Sequence, residues 1–127
     1  MKLLLDTHVL LWVLSDSPKL SRGARSLLSD PANTCWVSAA SAWEIVIKAA
    51  LGKLRLEAPL GSLLEAVEQA GFETLDVTLR HATAVERVTL EHGDPFDRLL
   101  LAQCEVETLR LLTADRRLGA LPQAVAV

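Results

Sequence analysis

Four carboxylates, Asp6, Glu44, Asp97 and Asp115, stand where a parallel α/β sheet would gather them. Asp6 ends the apolar run Leu3-Leu4-Leu5, and Asp115 lies just past the run from Leu109 to Thr113. Glu44 and Asp97 fall in the first turns of predicted helices. Parallel strands place all their carboxyl ends on one edge, so residues at strand ends and at the starts of following helices converge there. Carboxylates brought together repel one another unless a cation sits between them, and hard divalent cations prefer such oxygen ligands. The pattern predicts metal-dependent phosphate chemistry. One or two Mg²⁺ or Mn²⁺ ions would be held by Asp6 and Asp97, with Glu44 and Asp115 binding directly or through water. An ion so held helps deprotonate water for in-line attack on a phosphodiester and offsets charge on the phosphoryl oxygens. No serine, cysteine or histidine constellation suggests a covalent nucleophile.

Each acid also has a purely structural role open to it. Asp6 could cap a helix beginning near His8. Ser41-Ala42-Trp43-Glu44 fits a capping box, and Glu44 with Lys48 makes an i,i+4 pair. Against this, Glu44 lies between Trp43 and Ile45 in a helix that is apolar almost all round. In Asp94-Pro95-Phe96-Asp97-Arg98, Asp94 is the expected cap and Asp97 the box acid. The latter role also places Asp97 at the carboxyl edge. Asp115 could cap a short turn from Arg116 to Gly119. Thr7, Asp94 and Thr113 are the expected supports that hold the acids by hydrogen bonds. His8 and His92 lie near the same edge, but imidazole suits Mg²⁺ poorly, so each is expected to be structural or to touch substrate. His81 falls within a helix and carries no signal of its own.

The elements that must position these residues alternate in type. Residues 2–6 form a wholly apolar strand, as a central parallel strand should. Helices follow from His8 to Leu14, ended by Asp16-Ser17-Pro18, and from a Ser21 cap to Ser29. Thr34–Val37 is the second strand. Ser38 or Ser41 starts a helix ending at Gly52, with Ala40, Trp43, Ile47 and Leu51 on one stripe. Lys53–Leu56 is a brief extended piece. A helix spans Leu60 to Ala70, and the third strand spans Phe72 to Val77. Thr78 caps a helix reaching Glu91, and Asp94-Pro95 starts another. Leu109–Thr113 is a fourth strand and Ala124–Val127 a last apolar run. The fold class is α/β, with a central, mostly parallel, twisted sheet of four to five strands and helices on both faces.

With 127 residues, half of them hydrophobic and 23% charged, one domain over 1–127 with a packed core is expected. Its apolar stretches are short of a membrane span, and Lys2 leads straight into a strand-like run, so neither membrane insertion nor a leader is expected. Cys35 and Cys104 sit in apolar surroundings without zinc-type spacing, which suits reduced core thiols of a cytoplasmic protein. The net charge of −3 argues against non-specific nucleic-acid binding by overall charge. It leaves room for a nuclease whose acidic site is neutralised by metal. Among Arg22, Arg25, Arg55, Arg87, Arg98, Arg110, Arg116 and Arg117, most are expected to be solvated surface charges.

The sequence resembles the PIN domain, and more narrowly the VapC-type toxin ribonucleases of bacterial toxin–antitoxin pairs. The resemblance runs from Leu4-Leu5-Asp6-Thr7-His8, through Ser41-Ala42-Trp43-Glu44-Ile45, Lys48 and Gly52-Lys53-Leu54. It continues to His92-Gly93-Asp94-Pro95-Phe96-Asp97-Arg98 and Thr113-Ala114-Asp115. It implies a Mg²⁺-dependent endoribonuclease with its acidic quartet on Asp6, Glu44, Asp97 and Asp115. It also implies RNA as substrate, a homodimer, and a cognate antitoxin protein as inhibitor. One alternative is a haloacid-dehalogenase-like phosphatase, but that chemistry wants a second acid two residues after the first, where this chain has His8. A phospho-receiver domain needs an acceptor ending the third strand and a late lysine, and Asp76 is poorly placed. A non-catalytic PIN scaffold binding RNA or protein is disfavoured by the complete quartet.

Overall fold

Leu3, Leu4 and Leu5 are all fully buried, and their side chains alternate between the two faces of one sheet. The structure, a computed structural model, describes residues 1–56, 58–89 and 93–127. Five strands, β1 (Lys2–Leu5), β2 (Thr34–Ser38), β3 (Glu73–Leu75), β4 (Arg110–Thr113) and β5 (Ala124–Ala126), lie in the order β3-β2-β1-β4-β5. Every pairing is parallel, with Leu4 opposite Trp36 on one side and Leu5 opposite Leu112 on the other. The chain fills one side of β1 with β2 and β3, then crosses to the other side for β4 and β5. That reversal opens a crevice at the carboxyl ends of β1 and β4, the usual ligand position in such sheets.

The helices are α1 (Thr7–Leu14), α2 (Arg22–Ser29), α3 (Ala39–Ala50), α4 (Leu63–Gln69), α5 (Leu79–Ala84), α6 (Pro95–Glu107) and α7 (Arg116–Gly119). Leu3 and Leu5 join Val9, Leu10, Leu20, Ala24, Ile45 and Val67 in one core, and Leu4 joins Leu100, Leu101, Cys104 and Leu118 in the other. Both cysteines are buried and unbridged, and burial pushes the Cys104 thiol up to about 12. No helix among the described residues is long and apolar enough to cross a membrane.

Most expected boundaries hold within a residue or two, and three expectations need correction. The Lys53–Leu56 piece lies outside the five-stranded sheet. The Leu60–Ala70 helix opens with a 3₁₀ turn, Leu60–Ser62, before α4. The helix capped by Thr78 gives way after Ala84 to a 3₁₀ turn, Val85–Arg87, instead of running to Glu91, which lies outside the described residues. The stripe expected on α3 is also turned: Trp43 and Leu51 are 61% and 63% exposed, while Ser41, Glu44 and Ile45 face inward. A helix apolar on every side has no strong preference for one face, so packing against α1 and α6 sets its rotation. That rotation aims Glu44 at the crevice.

Candidate active site at the carboxyl edge of the sheet

Asp6 follows β1 and starts α1. Its N–H continues the strand ladder by donating to Leu112 O at 3.0 Å, and its carbonyl accepts from Leu10 N to open the helix. Asp6 stands at the N-cap position of α1, but its side chain makes no capping hydrogen bond. Instead the carboxylate, 2% exposed, accepts from Thr113 Oγ1 at 2.7 Å through Oδ2. Thr113, fully buried at the end of β4, accepts in turn from the Asp115 N–H at 3.0 Å. Burial pushes the Asp6 carboxyl upward, a tendency that the Thr113 hydroxyl opposes.

Asp115 does cap α7, and both cap bonds, from Arg117 N and Leu118 N, fall on Oδ1. Capping fixes this carboxylate beside the β4 end without removing it from the edge.

Glu44 projects from α3 and is 3% exposed. It does not form the expected capping box, because Ser38, not Ser41, caps α3 through the Ala40 N–H. Glu44 Oε1 accepts from Thr7 Oγ1 at 2.7 Å, and Oε2 accepts from Lys48 Nζ. The Thr7 and Ser41 hydroxyls are 2.9 Å apart. Thr7 has one proton to give and a carboxylate is the stronger acceptor, so Ser41 donates to Thr7.

Asp97 comes from the first turn of α6, and Asp94 caps that helix by accepting from Phe96 N and Asp97 N at 2.9 and 3.0 Å. Burial raises the Asp97 carboxyl to about 7, reinforced in order by the charges of Asp6, Asp94, Glu44 and Asp115. These acids come from four separate stretches, yet each acts electrostatically on Asp97. Lys48 is held more firmly protonated, first by its bond to Glu44 and further by the charges of Asp94 and Asp97. Beside the acids, Thr7, His8, Glu44, Lys48 and Lys53 line a recess of about 290 Å³. His92 lies outside the described residues.

The donor set fits a hard cation: carboxylate oxygens from four stretches, two of them on almost fully buried side chains, with the charges of the others raising the proton affinity of Asp97. Among the described residues, no three His, Cys, Asp or Glu side chains already stand as a ligand group. The acids differ in their neighbours. Glu44 is engaged by two donors, one of them cationic, whereas the side-chain hydrogen bond to Asp6 comes from a neutral hydroxyl.

A family model described as the PIN domain matches residues 3–123. The chain belongs to the PIN domain family. Within it, the chain is 34% identical over 116 residues to "Ribonuclease VapC22" of Mycobacterium tuberculosis (strain ATCC 25618 / H37Rv), covering 91% of this chain and 88% of that protein. Two solved structures share the PIN fold. One is VapBC2 from Rickettsia felis bound to a DNA fragment from their promoter (TM-score 0.67, 18% identity, 100% of this chain and 98% of that one). The other is a toxin–antitoxin complex from Klebsiella pneumoniae (TM-score 0.64, 20% identity, 97% and 95%).

Sequence reasoning assigned His81 no role, and the PIN fold gives it one. It is 1% exposed; its Nδ1 accepts from the Thr78 N–H and its Nε2 meets Glu107 at 2.7 Å. Next to it the fully buried Gln103 accepts from Ser38 Oγ at 2.6 Å and donates to Asp76 O at 3.2 Å. This network ties the N-terminus of α3 to α6. The one sequence sign of it was a glutamine amid the apolar residues of α6.

Proposed function

We propose that this PIN domain is a divalent-metal-dependent endoribonuclease that hydrolyses RNA phosphodiesters, and that it is the toxin of a toxin–antitoxin pair. The observation that carries the chemistry is Asp97, raised to about 7 by burial and by Asp6, Asp94, Glu44 and Asp115 around it. Crowding carboxylates around the buried Asp6 and Glu44 is costly unless a proton or a cation offsets it, and such perturbed groups cluster at functional sites. The 34% identity to a protein named a ribonuclease supports RNA as the substrate.

In this reading Asp6 and Asp97 hold Mg²⁺ or Mn²⁺, and Glu44 and Asp115 act on it directly or through water. The bound ion supplies an activated water and offsets charge on the phosphoryl and leaving oxygens. Thr113 holds Asp6, Asp94 fixes the start of α6 beneath Asp97, and Thr7 holds Glu44. The whole of 1–127 is proposed to work as one domain, in the cytoplasm. An antitoxin is the proposed inhibitor because the Klebsiella pneumoniae structure with the same fold is a toxin–antitoxin complex. A homodimer is proposed from the VapC resemblance.

Purified protein should cut single-stranded or looped RNA with Mg²⁺ or Mn²⁺ and lose that activity in EDTA and in the Asp6→Asn and Asp97→Asn variants. Equal cutting in EDTA, or by Asp6→Asn, discards the metal mechanism. Induced expression of the wild type should arrest growth while Asp6→Asn does not. Harmless expression of soluble, active wild type removes the toxin role and leaves the nuclease.

A further inference from the structure

We infer that Lys48 is a positioning residue built into the acidic centre: with Thr7 it holds both carboxylate oxygens of Glu44 and keeps that acid one step back from a bound metal. The inference rests on the nuclease reading and refines the part that Glu44 plays in it.

Glu44 is buried, and a buried carboxylate requires compensation by charge or hydrogen bonds. It has both. Thr7 Oγ1 donates to Oε1, and Lys48 Nζ donates to Oε2. An exposed i,i+4 pair on a helix contributes little because water screens it and two long side chains must be ordered. Here the Glu44 side chain is 4% exposed and that of Lys48 35%, so the pair sits at the protein's edge with its acid sealed inside. Lys48 brings its charge to the recess that it shares with Thr7, His8, Glu44 and Lys53.

Two consequences follow for a metal in the centre. Direct ligation by Oε2 would set the ion against the ammonium on the same oxygen, a like-charge contact. Ligation by Oε1 is left only the lone pair that the Thr7 bond does not use. Asp6 differs, because the side-chain hydrogen bond that it accepts comes from the neutral hydroxyl of Thr113. Lys48 thus sorts the acids: Asp6 can meet the ion with no ammonium bonded to its carboxylate, and Glu44, carrying one, acts on it through water and charge.

The test uses Mn²⁺ alone as ligand, measured by titration calorimetry, beside steady-state cleavage of a single-stranded RNA. Lys48→Met removes the nearby positive charge and releases Glu44, so Mn²⁺ should bind about threefold to tenfold more tightly. Turnover should fall through kcat, with KM within about twofold of wild type, because Glu44 is no longer held in place. Lys48→Gln, which keeps a donor for Glu44 without the charge, is the second variant should Lys48→Met fold poorly, and it should show the same tightening. Lys48→Arg should restore wild-type Mn²⁺ affinity. Unchanged or weaker Mn²⁺ binding in Lys48→Gln overturns the inference, as does a raised KM with kcat retained, which makes Lys48 an RNA contact. If wild type binds Mn²⁺ and cuts RNA while the variants match it, only the role of Lys48 fails. If wild type does neither, the nuclease reading fails.

Discussion

Thr113 Oγ1 donates to Asp6 Oδ2 over 2.7 Å, joining side chains 107 positions apart in the chain. The bond bridges the ends of β1 and β4, where the strand order reverses, and it opposes the upward push of burial on the Asp6 carboxyl. Thr113→Val keeps the shape and removes the donor. The acid limb of the pH–rate profile should move to higher pH, because the hydroxyl that lowers the Asp6 carboxyl is gone, and Thr113→Ser should restore it. A limb that stays in place shows that this hydroxyl does not govern Asp6.

Asp97 makes the metal-free protein sensitive to pH. Its carboxyl is raised from the ordinary 3.8 to about 7, so between those values the folded state keeps a proton that the unfolded state has released. Stability in EDTA should therefore be greatest at the low end of that window, fall as pH rises through it, and level off above about 7. Asp97→Asn should flatten the slope and raise stability at alkaline pH. Denaturant melts across the window check this, and a wild-type slope shared by the variant assigns the effect elsewhere.

Gln103 should matter to stability and not to chemistry. Gln103→Leu preserves volume but leaves Ser38 Oγ and Asp76 O without their amide partner. The expected cost is about 1–3 kcal/mol, read as a lowered melting temperature, with kcat per folded molecule retained. In a Ser38→Ala background the cost should shrink, because both substitutions break the same bond.

Thr108 ends α6 in the left-handed region, at φ 56° and ψ 49°. A β-branched residue is disfavoured there, and glycine is the usual occupant of such a helix end. Thr108→Gly should raise stability by about 0.5–1 kcal/mol after the added freedom of the unfolded chain is subtracted. A lowered melting temperature would instead show that the threonine side chain contributes more than its backbone costs.

The sequence by itself determined the alternation of elements, the apolar central strand and the acids expected at one edge. Those signals are local: Leu3-Leu4-Leu5 is apolar on both faces, Asp94-Pro95 starts a helix, and Gly52 and Gly71 have the positive φ that stops one. Only the tertiary structure decided how α3 is rotated, since a helix with apolar residues all round gives packing several faces to choose from. It also decided that Thr7 and Lys48 share Glu44, and that His81 and Gln103 tie α5, α6 and the start of α3 together. Partners distant in sequence leave no periodic trace, so they come into view only when the sheet has brought them within hydrogen-bond reach.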